Sequence, residues 1–246
     1  MIKLIRPAKP VELTPEKEEE LKTEYNATGE PVWRKDFIKK PLMIMSYGKC
    51  AYSELQIDTE SAYLEIDHFR HKDKYPDDVI NWYNLLPACK KCNVTKGSWD
   101  VMSDPIVNPT TDDPKLHLYI KGYRFYAITE KGKNTIEAVA LNDDEHFVKN
   151  RFIVGNDIIQ TLNSELDSLM EATTERQKKY RINRIKNTLY RGLPDKQYAA
   201  SNATAIIFEN GRYKELLDYL KNNDLWDEDL ESIISQIQSI ALIPPQ

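Results

Sequence analysis

The segment "YLEIDHF", residues 63–69, ends an alternation of apolar and polar residues with a carboxylate beside an imidazole. Two apolar residues alternate with Glu65 and Asp67, which is the period of a strand with one buried face and one solvent-facing face. His68 follows where this pattern stops. A carboxylate can bind a divalent cation, and a neutral imidazole can accept a proton from water near neutral pH. The pair therefore suits hydrolysis of a phosphodiester bond.

Further polar residues with suitable chemistry follow in order along the chain. Asn84 lies in a short apolar stretch, and Asn93 and Lys96 lie in the predicted helix of "CKKCNVTKG". The amide oxygen of Asn93 is a second hard ligand for a divalent cation. Asn93 and Lys96 are three residues apart, so they share a helix face and the Lys96 ammonium can meet the same phosphate. We expect Asn84 to fix the loop that carries His68.

This ordered set resembles the HNH (His-Asn-His, or His-Me finger) endonucleases, and "EIDHFRHKDKYPDDVINWYNLLPACKKCNVTKG" carries the resemblance. The resemblance implies a ββα-metal finger with His68 as the general base and Asn84 as the central Asn of the motif. It implies that Asp67 and Asn93 are ligands of Mg²⁺ or Mn²⁺. It also implies cleavage of nucleic acid, with DNA as the expected substrate. The cations expected to contact nucleic acid are Lys96, Arg70 and Lys72.

Segments beyond the catalytic motif resemble the Septu (PtuB-like) and retron-associated HNH proteins of anti-phage operons. They are "MIKLIRPAKP", "WRKDFIKK" and "NPTTDDPKLHL". The resemblance implies the nuclease subunit of an antiviral defence complex, in a hetero-oligomer with a regulatory ATPase partner. The chain has no G-x4-G-K-[ST] phosphate loop, so it cannot drive an ATP cycle by itself. An alternative stays open, in which a catalytically worn HNH scaffold binds nucleic acid or assembles a complex.

The three cysteines raise the question of a structural zinc ion. HNH proteins with a C-x2-C pair late in the motif usually carry an earlier pair, and four thiolates then hold zinc. Here the earlier pair reads Cys50-Ala-Tyr-Ser53, so a hydroxyl replaces one thiol. Two interpretations stay open. Either Cys50, Cys89 and Cys92 hold zinc with a water or a nearby histidine, or the thiols only pack in the core.

Composition indicates a soluble intracellular protein. The 246 residues are 41% hydrophobic, which is enough for a core, and the net charge is -5. This charge argues against binding nucleic acid by bulk positive charge but leaves a local basic cleft open. Three cysteines do not make a disulfide framework, and the sequence shows no signal peptide and no bilayer-spanning run. We therefore expect a cytoplasmic protein with no membrane partner.

The pattern of elements predicts a mainly helical α+β protein. We expect N-terminal helices and the finger over 1–104, a linker and small β segment over 105–142, and a helical partner-docking module over 143–246. Within the β segment, "KGKN" is expected to form a turn between strands. The apolar stripe from Phe152 to Met170 is expected to face the core.

Two charged stretches of the last module have open interpretations. Residues 176–191 contain no acidic residue, so they can follow a phosphate backbone, dock an acidic partner or form a solvated helix face. The acidic segment 224–231, "DLWDEDLE", carries one Trp and is expected to contribute to a protein interface.

Overall fold

The computed structural model describes residues 1–57 and 64–245. The described secondary structure is mainly helical with two small antiparallel sheets, which confirms the predicted α+β class. Tyr63, at the start of the predicted strand, lies outside the described residues. The chain divides into two compact units. The first comprises Met1, Lys3–His117 and Ala127–Leu141, and the second comprises Ile2, Leu118–Tyr126 and Asn142–Gln246.

The first unit contains helices around one antiparallel pair of strands. Its elements are α1 (Pro15–Thr28), α2 (Asp36–Met45), β1 (Leu64–His68), β2 (Leu85–Cys89), α3 (Lys90–Lys96) and α4 (Glu130–Ala138). Single 3-10 turns cover Val32–Arg34, Pro76–Asp78, Trp82–Asn84 and Pro114–Leu116. The Thr14 hydroxyl caps the start of α1, and Gly29 ends it with a φ of 73°. Pro41 lies inside α2 without ending it.

The register of β1 and β2 determines what surrounds the carboxyl end of β1. Leu64 lies opposite Cys89, and His68 lies opposite Leu85. Asn84, just before β2, therefore lies beside the end of β1, and its carbonyl accepts a hydrogen bond of 2.8 Å from the backbone N–H of Phe69. Because α3 follows β2 directly, the chain runs strand, strand, helix. The assignment of this unit to the ββα-metal class stays a prediction.

The region predicted as a small β segment contains one hairpin and one helix. The strands are β3 (Leu118–Lys121) and β4 (Arg124–Ala127), and they are joined at Gly122 and Tyr123, which both have positive φ. The prediction of a turn at "KGKN" is wrong because these residues lie in α4. The Thr129 hydroxyl accepts a hydrogen bond from the Gly132 N–H and starts a helix there.

The second unit is helical apart from the hairpin. Its helices are α5 (Lys149–Met170), α6 (Glu175–Leu189), α7 (Ala199–Thr204), α8 (Tyr213–Asn222) and α9 (Glu228–Ile240), with π-helical turns at Asp144–Val148 and Ala205–Glu209 and a 3-10 turn at Tyr190–Gly192. Buried aliphatic residues of α5, α6, α8 and α9 share one core. The expectation that the whole apolar stripe is core is wrong at Met170, which is 40% exposed, and at the first turn of α5. There the buried face runs through Arg151, Gly155 and Ile158, and Phe152 and Ile153 flank it, each about half exposed.

The predicted middle segment, 105–142, divides between the two units: its hairpin belongs to the second unit, and most of the rest belongs to the first. Its prolines do not leave it unpacked, since Ile106 and Val107 are fully buried in the first unit. Among the helices that the structure describes, none has the length and apolar character needed to cross a membrane.

Candidate functional site

Asp67 lies near the end of β1 and is almost fully buried. Its Oδ2 accepts a hydrogen bond of 2.5 Å from the Tyr52 hydroxyl. Its Oδ1 lies 2.9 Å from the Lys96 ammonium, and both side chains are removed from solvent. The same ammonium donates to the carbonyl of His68 at 2.7 Å. These donors compensate for the cost of burying the carboxylate.

Lys96 therefore lies in the interior of the first unit and binds the unit's own carboxylate. The sequence predicts that Asn93 and Lys96 share a helix face, and the structure turns this face toward β1. The Lys96 ammonium therefore does not point into solvent, where it could contact an incoming phosphate. Asn93 is half-buried one turn before Lys96 on α3, so it lies on the side of the helix that faces Asp67.

The His68 side chain is buried, and its tautomer is fixed by its surroundings. Nε2 lies 2.8 Å from the carbonyl oxygen of Val79, which can only accept a hydrogen bond, so Nε2 carries the proton. In the neutral ring, Nδ1 is then the nitrogen with a free lone pair. The Trp33 ring packs edge-on against the imidazole, with 4.4 Å between the ring centroids. Burial lowers the pKa of His68 below its ordinary value, so the ring is neutral near pH 7.

Asn84 joins the loop after β1 to the start of β2. Its Oδ1 accepts a hydrogen bond of 2.7 Å from the backbone N–H of Arg70. Its Nδ2 donates to the carbonyls of Arg70 and Asp78, at 3.0 and 3.1 Å. The side chain is buried. Asn84 therefore holds both ends of the loop that contributes the Val79 carbonyl to His68.

The three cysteines converge on one buried cluster with Ser53. The Sγ atoms of Cys50, Cys89 and Cys92 all lie within 4.8 Å of one another, an arrangement that can hold a metal such as Zn²⁺. The Ser53 hydroxyl lies 3.7 Å from the Sγ of Cys89. Burial opposes ionisation of Cys50, but hydrogen bonds from Cys89, Cys92 and Ser53 outweigh it and hold the pKa of Cys50 well below its usual value. Burial raises the pKa of Cys92.

Tyr52 connects this cluster to the carboxylate. It lies between Cys50 and Ser53 in one turn, it is fully buried, and its hydroxyl reaches Asp67. Neither Tyr52 nor Trp33 was predicted from the sequence. The sequence signal that could have indicated Tyr52 is its position between Cys50 and Ser53. Trp33 precedes His68 by many residues, so no local spacing indicated their contact.

Arg70 and Lys72, predicted to contact nucleic acid, lie in the loop after β1. The Arg70 Nε lies 3.2 Å from a carboxylate oxygen of Asp78. The Lys72 ammonium lies 2.8 Å from a carboxylate oxygen of Asp73. Both cations are partly exposed, and each is paired with a carboxylate. Each must therefore break this ion pair before it can bind a phosphate.

In the second unit, the basic residues of α6 that were candidates for phosphate or partner contact pair with carboxylates of the same unit. Arg181 and Arg184 both lie 3.0 Å from the buried Glu165. Lys186 lies 2.6 and 2.9 Å from carboxylate oxygens of Asp227 and Asp229. The charges of α6 and the acidic segment 224–231 thus help to hold the helices together. Trp226, the Trp of that segment, is half-buried and packs against the helical core.

The fold and the site together define a mainly helical α+β protein with a buried Asp-Lys-Tyr network beside a tautomer-fixed histidine. Over 250 aligned residues the chain is 35% identical to the Septu protein PtuB of Bacillus thuringiensis, and the alignment covers 100% of this chain and 96% of that protein. It is 29% identical over 159 residues to the Septu protein PtuB of Bacillus mycoides (strain KBAB4), over 51% of this chain and 53% of that protein. No family model matches the chain. The chain belongs to the Septu PtuB family. This confirms the PtuB-like part of the predicted resemblance, whereas HNH nuclease activity, metal dependence and the retron association stay predictions.

Proposed function

We propose that this protein is a divalent-metal-dependent HNH endonuclease that hydrolyses phosphodiester bonds in DNA. The arrangement of His68 carries the proposal. The imidazole is neutral, its Nε2 proton is committed to Val79, and Nδ1 is left as the one ring nitrogen that can accept a proton. A general base must be held in one tautomer and one orientation, and Trp33 and the Asn84-fixed loop both restrict this ring.

In this mechanism, Nδ1 of His68 takes a proton from a water molecule as that water attacks the phosphorus. The new P–O bond forms as the bond to the leaving sugar oxygen breaks. Trp33 and the Val79 carbonyl keep the imidazole from rotating during the transfer. Asn84 holds the loop that presents the carbonyl, so its part is to position the base.

Asp67 and Asn93 are the residues that would hold Mg²⁺ or Mn²⁺. The Asp67 carboxylate fits this task although Tyr52 and Lys96 already bind it, because each carboxylate oxygen has two lone pairs and each donor occupies one. When bound, the cation would polarise the phosphate and stabilise charge on the leaving oxygen. Lys96 and Tyr52 would keep the carboxylate oriented toward it.

We propose in addition that the Cys50, Cys89 and Cys92 cluster holds a structural Zn²⁺, with the Ser53 hydroxyl or a water in the fourth position. Support comes from the convergence of three buried thiols with this hydroxyl. Zinc here would fix the turn that carries Tyr52 and so the orientation of Asp67.

Membership of the Septu PtuB family supports a role as the nuclease subunit of an anti-phage complex with an ATPase partner. The alternative is a non-catalytic scaffold that binds nucleic acid or assembles such a complex. One observation favours this alternative: the Lys96 ammonium already occupies the charge-compensating position beside Asp67.

A plasmid-nicking assay decides between the two functions. It is run with Mg²⁺, with Mn²⁺ or with EDTA, and with and without the proposed ATPase partner. The nuclease proposal expects nicking that requires a divalent cation and stops in EDTA. A protein that binds the plasmid but leaves it intact under every metal condition, with the partner present, would favour the scaffold.

A further inference from the structure

A basic cleft lies next to the candidate site in the first unit. It has a cavity volume of about 510 Å³ and is lined by Arg34, Lys39, Leu64, Glu65, Ile66 and Lys90. Three of these residues are cations and one is an acid. The side chains of Arg34, Lys39 and Lys90 come from three separate elements, the 3-10 turn Val32–Arg34, α2 and α3.

The positive charge of the cleft is only partly compensated. Among the described residues that line the cleft, Glu65 is the one carboxylate, and it lies 3.7 Å from a guanidinium nitrogen of Arg34. Lys39 and Lys90 are exposed and form no ion pair with any residue in 1–57 or 64–245. Within the described part of the chain, the cleft therefore carries more positive than negative charge, although the net charge of the whole chain is -5.

Three connections join the cleft to the candidate site. The strand that forms one wall, Leu64 to Ile66, continues directly into Asp67 and His68, so the nearest wall residue, Ile66, lies about 7 Å from His68 along the strand backbone at about 3.3 Å per residue. Trp33, which packs on the imidazole, is the neighbour of Arg34. Lys90 lies one helical turn before Asn93 on α3.

We propose that this cleft binds the sugar-phosphate backbone of a nucleic-acid strand next to the phosphate that is cleaved. The inference rests on the proposed nuclease function and names where the strand continues beyond the site. About half to two-thirds of protein–DNA hydrogen bonds go to phosphate and sugar oxygens, and Arg and Lys side chains are among their main donors. Binding here is therefore expected to be independent of base sequence. The neighbouring cations that the sequence indicated, Arg70 and Lys72, are both held in ion pairs, whereas Lys39 and Lys90 of the cleft form none with the described residues.

The test measures binding in a His68→Ala background, so that the strand stays intact. A pocket variant (Arg34→Gln, Lys39→Gln, Lys90→Gln) loses three cations of the cleft. It is compared with a control variant that keeps these cations and loses three exposed lysines elsewhere (Lys3→Gln, Lys133→Gln, Lys214→Gln). The probe is a labelled single-stranded DNA oligonucleotide of mixed sequence, titrated between about 50 and about 200 mM salt. Circular dichroism verifies that both variants fold.

Each lost phosphate contact lowers the slope of log affinity against log salt by about 0.7 for a single strand, so the pocket variant is expected to lose about 2 from this slope. The control variant should keep the slope of its parent. Glu65→Gln tests the opposite sign: it frees Arg34 and is expected to tighten binding. Unchanged slope and affinity in the pocket variant would overturn the inference.

The pocket variant is also tested for capture of the ATPase partner. If partner capture is lost and oligonucleotide binding is kept, the cleft is a protein-docking surface and the inference is wrong. Failure of the proposed nuclease function would be seen separately, because that failure appears as an intact plasmid with the wild-type protein. Failure of the proposal for the cleft appears only in the pocket variant, as an unchanged slope of log affinity against log salt.

Discussion

Replacing Lys96 with methionine removes the buried ammonium while keeping an unbranched apolar chain of similar length. The change leaves Asp67 without its cation and the His68 carbonyl without the donor at 2.7 Å. Breaking a buried ion pair by removing one partner costs about 3–5 kcal/mol, because the remaining charge stays buried. We expect Lys96→Met to lower the free energy of unfolding by that amount.

The chain offers a matched control at the surface. Lys40 and Asp36 form an i, i+4 pair with the same N–O distance of 2.9 Å, but both side chains are 72% exposed. Lys40→Met is expected to cost only about 0.3–0.5 kcal/mol, since water screens the pair. The two ion pairs therefore differ in burial and not in their N–O distance.

Urea denaturation followed by Trp fluorescence measures both variants. Trp33, Trp82 and Trp99 lie in the first unit, and a Trp226→Phe background removes the signal of the second. The double variant Asp67→Asn/Lys96→Met should lose less than the two single variants together, because no lone charge remains buried. A loss below about 1 kcal/mol for Lys96→Met would refute the reasoning, since it would give the pair the value of a surface ion pair.

Three further outcomes follow from the site. Asp67→Ala and Asn93→Ala are expected to lower the affinity for the divalent metal that cleavage requires, with partial rescue by raised Mn²⁺; unchanged metal titrations in both would remove them from the ligand set. Ser53→Cys should raise zinc content by elemental analysis and raise the melting temperature, and the absence of zinc from both variant and wild type would argue that the four positions do not form a tetrahedral site. Tyr52→Phe should cost about 1.5–3 kcal/mol because the hydroxyl donates to a charged carboxylate, whereas the exposed Tyr83→Phe should change stability by less than about 0.5 kcal/mol.

The sequence predicts the local parts of the site well because they depend on short-range periodicity. The alternation before Asp67 places a strand there, and the three-residue spacing of Asn93 and Lys96 places both on one helix face. The spacing could not predict which way that face points. Its direction is set by packing of α3 against β1, so the burial of Lys96 became visible only in the structure.

Contacts between residues far apart in the chain could not be predicted either, because they are set by packing and not by local spacing. The contact of Trp33 with His68 joins residues far apart in the chain, and no periodicity connects them. The basic stretch of α6 gave no sign that Glu165, on the preceding helix, neutralises Arg181 and Arg184. At "KGKN", the turn propensity of Gly and Asn was outweighed by the Thr129 cap, which starts a helix.

Single-turnover cleavage of DNA at saturating divalent metal tests the proposed role of His68 as the general base of a nuclease. His68→Ala is compared with wild type and with His146→Ala, whose imidazole lies in the second unit and is 53% exposed. We expect His68→Ala to slow cleavage by about 100- to 10,000-fold while the fold and partner binding stay intact, and we expect His146→Ala to cleave at the wild-type rate. Cleavage by His68→Ala at the wild-type rate would rule out His68 as the general base.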